Sequence, residues 1–206
     1  MKIKVCGMTD IGQLQELEAT GVDYAGLIFY PRSPRYAAEK LASREKAVRA
    51  LKLKKTGVFV NADAAYIREQ VDTFGLDAVQ LHGDEPAAFC LEVQSFVPVV
   101  KALRIGPATD LTRLLDQYRS LTALLFDTDS AGYGGTGRKF DWSVLQHPDL
   151  DRPFFLSGGI GPEDAAALLN WEHRQFFAVD INSRFESAPG IKDMEAVRNF
   201  VHTLKS

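Results

Sequence analysis

"FFLSGGIGPEDAAALL", residues 154–169, reads as one complete structural unit. A short apolar run passes through Ser157 into Gly158 and Gly159. Pro162 then opens a helix, with Glu163 and Asp164 beside the positive end of its dipole. The apolar part is continuous, not alternating, as expected of a parallel strand covered on both faces. A strand, a glycine turn and a helix make a βα unit, and the fold follows from how often that unit recurs.

Outward from it, similar runs fall at 3–7 (IKVCG), 24–29 (YAGLIF), 56–60 (TGVFV), 78–82 (AVQLH), 97–103 (VPVVKAL), 123–128 (ALLFDT) and 176–182 (FFAVDIN). With 154–159 (FFLSGG) they give eight expected strands. Helical periods lie between them. Leu111, Leu114, Leu115 and Tyr118 follow i, i+3, i+4, i+7, and Met194, Val197, Val201 and Leu204 line one face near the C-terminus. Each strand is followed by a helix or a candidate one. Eight βα units in 206 residues favour an α/β single-domain (β/α)8 TIM barrel over residues 1–206; a doubly wound open sheet is the alternative.

Composition narrows the function. Hydrophobic residues make up 46% and charged residues 25%, ordinary globular values. A net charge of −3 supplies no basic field for nucleic acid or acidic membranes, so any anionic substrate must be held locally. Two cysteines, Cys6 and Cys90, do not make a disulfide framework and fit a reducing cytosol. No run approaches the ~18 apolar residues of a membrane span. The expectation is a cytoplasmic protein, monomer or homodimer, with a small-molecule partner and neither nucleic acid nor membrane.

Active sites of (β/α)8 barrels lie at the carboxyl ends of the strands. Here those ends carry Cys6, Arg32 and Arg35, Asn61, His82, Asp127, Ser157-Gly158-Gly159, and Asp180, Asn182, Ser183 and Arg184. Singly, each is explained by turn chemistry; together they outline one ring. Cys6 is either a small buried hydrophobe or a reactive thiol, and its strand-end position before Gly7 favours the thiol. Cys90 sits on a helix face and reads as packing. Asp127 after "ALLF" is a loop cap or a poised acid–base group. His82 is a strand-end hydrogen bonder and a candidate substrate contact. The other histidines, at 147, 173 and 202, lack metal-ligand spacing, and no metal site is expected. Backbone amides at Gly158 and Gly159, ahead of a helix, favour a phosphate.

"GYGGTG", residues 132–137, fits the dinucleotide fingerprint G-x-G-x-x-G by letter. That fingerprint follows a strand directly and opens a helix. Here residues 127–131 intervene, and "RKFDW" follows with Asp141 as the cap of the next helix. Gly134, Gly135 and Gly137 therefore read as a loop cover over the site, not a cofactor cradle.

The blocks "KVCGMT" (4–9), "GLIFYPRSPR" (26–35), "GVFV" (57–60), "QLHG" (80–83), "LLFDT" (124–128), "GGTGRKFDW" (134–142), "LSGGI" (156–160) and "VDINSRFESAPGIKD" (179–193) cover nearly the whole chain. In these the chain resembles the phosphoribosylanthranilate isomerase family of tryptophan biosynthesis. The resemblance implies an Amadori rearrangement without cofactor. N-(5-phosphoribosyl)anthranilate would become 1-(2-carboxyphenylamino)-1-deoxyribulose 5-phosphate, an aldose–ketose isomerisation of the intramolecular oxidoreductase class. It implies Cys6 as general base, Asp127 as general acid and Arg35 on the anthranilate end. Gly158, Gly159, Asn182 and Ser183 would hold the phosphate. The apolar "ALLF" would favour the protonated form of Asp127. Lys4, two residues before Cys6 on the same strand face, is the candidate cation for its thiolate and a further candidate substrate contact. After strand 8 the family pattern is close to D-V-S-S-G-V-E, where this chain has Arg184 in place of glycine. Either a close backbone approach is lost there or a cation is gained. Other phosphate-binding barrel enzymes, and a barrel that only binds a ligand, are the competing readings; the Cys6 block argues against the first, the presence of both Cys6 and Asp127 against the second.

Overall fold

Eight parallel strands pair in chain order and close into a barrel. They are β1 Lys2–Cys6, β2 Tyr24–Ile28, β3 Lys54–Phe59, β4 Ala78–Leu81, β5 Val99–Ile105, β6 Ala123–Thr128, β7 Phe154–Leu156 and β8 Phe176–Ile181. The computed structural model describes residues 1–128 and 139–206. Gly134, Gly135 and Gly137, read above as a cover, lie outside the described residues. β1 pairs with both β2 and β8, and the closing register sets Lys4 opposite Asp180. The open-sheet alternative is thereby excluded. A short hairpin, β9 Glu186–Ala188 with β10 Ile191–Lys192, follows β8.

The helices are α1 Ile11–Thr20, α2 Ala37–Lys40, α3 Glu45–Ala50, α4 Ala64–Phe74, α5 Ala87–Gln94, α6 Leu111–Gln117, α7 Ala165–Asn170 and α8 Met194–Lys205. Four of them start on an aspartate whose carboxylate accepts from a backbone N–H three residues on: Asp10, Asp63, Asp110 and Asp193. No helix among the described residues is long and apolar enough to cross a membrane.

Three details differ from the sequence-based expectation. The helix expected from Pro162 starts as a 3-10 turn, Pro162–Asp164, before α7, and Asp164 turns its carboxylate back onto the Gly161 N–H at 2.7 Å. After β6 the expected helix is the 3-10 turn Trp142–Leu145, with Asp141 as its cap. Pro148 stops it, since the residue before a proline avoids the α region. β7 ends at Leu156 because Gly158 (φ +90) and Gly159 (φ +69) adopt left-handed backbone that a strand cannot contain.

The walls separate two apolar regions. The larger core lies between barrel and helices. A smaller plug of Val100, Ala102, Leu125, Phe155 and Ala178 fills the barrel interior, with Tyr24 packed on it. Alternation along each strand decides which residues face in. On β5 it turns Lys101 outward between barrel and helices, where its ammonium donates to the carbonyls of Leu81 (3.2 Å) and Gly83 (2.8 Å) and to Glu85 Oε2 (2.9 Å). Glu85 in turn accepts from the N–H groups of Asn61 (2.9 Å) and Gly83. This buried pair ties the loops after β3 and β4 together, just behind His82. Replacing Lys101 by Met strands the Glu85 charge. The Lys101→Met protein should lose roughly 3–5 kcal/mol of stability, read from urea unfolding; a loss under ~1 kcal/mol contradicts this account.

Candidate active site

A single pocket opens above the apolar plug at the carboxyl ends of the strands, and Cys6, Arg35, His82 and Asp127 all line it. Gly158, Gly159, Asn182 and Ser183 line it as well. Most of the sequence-predicted ring is therefore brought together, but Arg32 and Asn61 do not line the pocket, and Asn61 Oδ1 accepts from the Asp84 N–H at 2.8 Å instead. Lys4 lies beneath the pocket and is 1% exposed. The glycines of the 132–137 stretch fall outside the described residues.

Lys4 does not reach a substrate directly. Its ammonium donates to Asp180 Oδ1 and to Gln80 Oε1, each at 2.9 Å. Burial works against its charge, but the attraction of Asp180, and then of Cys6, outweighs this and leaves its pKa raised. Asp180 is itself buried, and burial raises its pKa against the pull of Lys4. Ser157 Oγ donates to Asp180 Oδ2 at 3.4 Å.

The Cys6 thiol sits directly over this layer. Burial pushes its pKa up; Lys4 and Lys192 pull it down, and Asp180 adds to the rise. The net direction is upward. Lys4, the candidate cation for the thiolate, does favour it, but its charge is shared with Asp180 and burial outweighs it. Gly26 makes room for the sulfur, since a Cβ there would lie 2.7 Å from Cys6 Sγ.

Asp127 stands on β6 with its Oδ1 accepting from the Thr128 N–H at 2.8 Å and its Oδ2 3.1 Å from His82 Nε2. The apolar "ALLF" does not surround it. Strand alternation sends Leu124 and Phe126 into the outer core and Leu125 into the plug below. His82 lines the pocket and pairs with this acid, and Gln80 Nε2 lies 2.7 Å from His82 Nδ1.

Arg35 projects over Gly7 (φ +77), where a Cβ would come within 2.6 Å of Arg35 Cδ. Glu186 takes its Nε and Nη2 in a fork at 2.9 and 2.5 Å. Lys192 completes the cluster, donating to Glu186 Oε1 at 2.7 Å and to Asn182 Oδ1 at 2.8 Å. Burial raises the Glu186 pKa, but Arg35 and Lys192 outweigh it and hold the carboxyl below its ordinary range. Gln80, Glu186 and Lys192 were not singled out from sequence. The signal for Gln80 was present: it lies two residues before His82 and so shares its inward face.

Arg184 occupies an ordinary 3-10 turn, Ser183–Phe185, outside the left-handed region, so its backbone has no need of glycine. Its side chain reaches Glu163 Oε1 at 2.5 Å, across the Gly158–Gly159 corner of the pocket.

Ionisable groups gathered over an apolar plug at the carboxyl ends of the strands define the class: this is a (β/α)8-barrel enzyme. The family model described as N-(5'phosphoribosyl)anthranilate (PRA) isomerase matches residues 3–203. The chain belongs to this family. It is 39% identical to the N-(5'-phosphoribosyl)anthranilate isomerase of Parabacteroides distasonis, covering 99% of this chain and 93% of that one. The solved phosphoribosyl anthranilate isomerase of Thermotoga maritima superposes with a TM-score of 0.86 at 33% identity, covering 100% of this chain and 98% of that one. A further structure of such an enzyme, in complex with reduced 1-(o-carboxyphenylamino)-1-deoxyribulose 5-phosphate, superposes with a TM-score of 0.84 at 32% identity, covering 100% and 98%.

The geometry makes Gly158 a sensitive point. A Cβ there would lie 2.5 Å from Thr128 N and 2.9 Å from Asp127 Oδ1, on a backbone with φ +90. Gly158→Ala should cost about 1–3 kcal/mol in strain and displace Asp127, so thermal unfolding and turnover fall together. Unchanged turnover in that variant contradicts the placement of Asp127.

Proposed function

We propose that this chain converts N-(5-phosphoribosyl)anthranilate into 1-(2-carboxyphenylamino)-1-deoxyribulose 5-phosphate, with Asp127 as general acid and Cys6 as general base. The observation that carries the reading is that one pocket holds Cys6 and Asp127 together with a fixed guanidinium and a glycine corner. Asp127 gives a proton to the furanose ring oxygen as the C1–O bond breaks, and the anthranilate nitrogen lone pair forms the C1=N bond. The Cys6 thiolate then takes the C2 proton. Electrons flow from C2–H into the iminium, giving an enolamine that tautomerises to the ketone. C2 is oxidised as C1 is reduced, so the step balances within one molecule. This supports the intramolecular oxidoreductase class and needs no external redox partner.

Both ends of the substrate are anionic. Arg35, held by Glu186, suits the carboxylate end, because a guanidinium fork matches a planar carboxylate. Backbone N–H groups at Gly158, Gly159 and Ser183, with the Asn182 side chain, suit the phosphate. Arg184 stands at the same corner.

Two outcomes test the roles. Substrate made in situ from anthranilate and phosphoribosyl pyrophosphate, by the transferase that joins them, is followed by loss of its fluorescence. Cys6→Ala and Asp127→Asn should each lower kcat by roughly 10²–10⁴-fold with unchanged circular dichroism; near-normal turnover in either removes that residue from its role. The second outcome concerns pH. Because burial raises the Cys6 pKa, the thiolate fraction of the free enzyme grows as pH rises. Asp127 must hold its proton in the same form of the enzyme, so a higher pH gains thiolate only as it strips the acid: the kcat/KM of the wild type should stay nearly level while the thiol form dominates and fall once Cys6 ionises. A profile that keeps climbing as the thiol ionises argues against this acid–base pair.

A further inference from the structure

The hydrogen bonds beneath the pocket run as one directed chain. An ammonium has only donors, so the Gln80 atom 2.9 Å from Lys4 Nζ must be the carboxamide oxygen. The amide nitrogen then faces His82 Nδ1 at 2.7 Å. A carboxamide nitrogen only donates, so Nδ1 must accept and carries no proton. The ring proton is left on Nε2, where it points at Asp127 Oδ2, 3.1 Å away.

This polarity decides where a second proton goes. The His82–Asp127 pair can hold it as an imidazolium beside a carboxylate, or as a neutral imidazole beside a carboxylic acid. The imidazolium needs a proton on Nδ1, pointing at the N–H of Gln80, donor against donor. Gln80 cannot rotate its amide to relieve this without turning its N–H₂ onto the Lys4 ammonium. Lys4 is held in turn by Asp180 at 2.9 Å. Among the described residues, the charged groups that face the pair are Lys4 from β1, Asp180 from β8, and Arg104 from β5, whose Nη2 donates to the His82 carbonyl at 3.2 Å. Cys6 faces it from β1 across the pocket.

We propose that Gln80 is a positioning residue that fixes the His82 tautomer and so assigns the exchangeable proton of the pair to Asp127. It touches no reacting atom. It acts through His82, and the assignment rests on the reading of Asp127 as the general acid. The same arrangement explains how a carboxyl that accepts hydrogen bonds at both oxygens serves as a proton donor: its histidine neighbour is barred from taking the proton.

The test is nitrogen NMR of ¹⁵N-histidine protein, with His82 assigned by comparison with His82→Asn. In the wild type near pH 7, His82 should show a pyridine-type Nδ1 and a pyrrole-type Nε2. A protonated Nδ1 there overturns the proposal, and this result needs no variant to fold. Gln80→Glu keeps the acceptor for Lys4 and replaces the N–H₂ by a second acceptor. In it, Nδ1 should become protonated, and kcat should fall about tenfold or more, short of the ~10²–10⁴-fold loss of the acid itself, with KM within about twofold. Gln80→Glu with a changed tautomer and full kcat also overturns the proposal. Failure of the underlying reading looks different: Asp127→Asn would stay active while the wild-type His82 signals match the expected tautomer.

Discussion

The barrel closes where β1 meets β8, and at that seam a buried ammonium faces a buried carboxylate. Removing both charges from water costs several kcal/mol per ion, which their attraction offsets only with good geometry and further hydrogen bonds. Lys4 has both: Asp180 on one side and Gln80 on another, each at 2.9 Å. Three strands distant in sequence are thereby joined through one nitrogen. Everything above that nitrogen inherits its orientation. Cys6 is two residues up the same strand, Asn182 two beyond Asp180, and His82 two beyond Gln80, all on the inward face. A barrel interior filled only by aliphatic side chains would be as well packed and easier to desolvate. It would have no fixed polarity to hand upward to the pocket.

Electrostatics in the pocket divides accordingly. On the Cys6 side, Lys4 and Lys192 favour the thiolate while burial and Asp180 oppose it, and the opposition wins. On the far side, among the described residues, Asp127 is met by the donors of Thr128 and His82. Arg35 is spoken for by Glu186, which keeps its guanidinium in place at the rim and limits the net positive charge there.

Much of this was legible in the sequence, for definite reasons. Continuous apolar runs marked all eight strands because both faces of a parallel strand are covered. Cys6, Asp127 and His82 were visible because each follows such a run and cannot turn into the core. What was not legible were partners. Lys4 and Asp180 are separated by 176 positions and Arg35 and Glu186 by 151. No periodicity in one chain encodes which strand-end charge meets which. Lys4 was consequently read as a contact to substrate, and the "ALLF" run as the surroundings of Asp127. Alternation along β6 sends two of those apolar neighbours to the opposite face. The end of β7 was missed by up to three residues because glycine is permitted in a strand by composition and excluded only by its φ.

The proposed chemistry sets a harder requirement than the presence of an acid and a base. A carboxyl group ordinarily releases its proton well before a thiol does. Left to these intrinsic tendencies, Asp127 and Cys6 would rest in the reverse of the states the reaction uses. The productive form is then a minor one, and the protein's task is to keep it accessible. The cations under Cys6 work toward it from one side, and the Gln80 donor, by closing the imidazole to a second proton, works toward it from the other. A substrate with an anion at each end would oppose the first, raising the thiol further as it enters. On that proposal, neutralising its carboxylate at Arg35 and its phosphate at the Gly158–Gly159 corner is part of activating Cys6, because the thiol can ionise between two anions only when each already has its own partner.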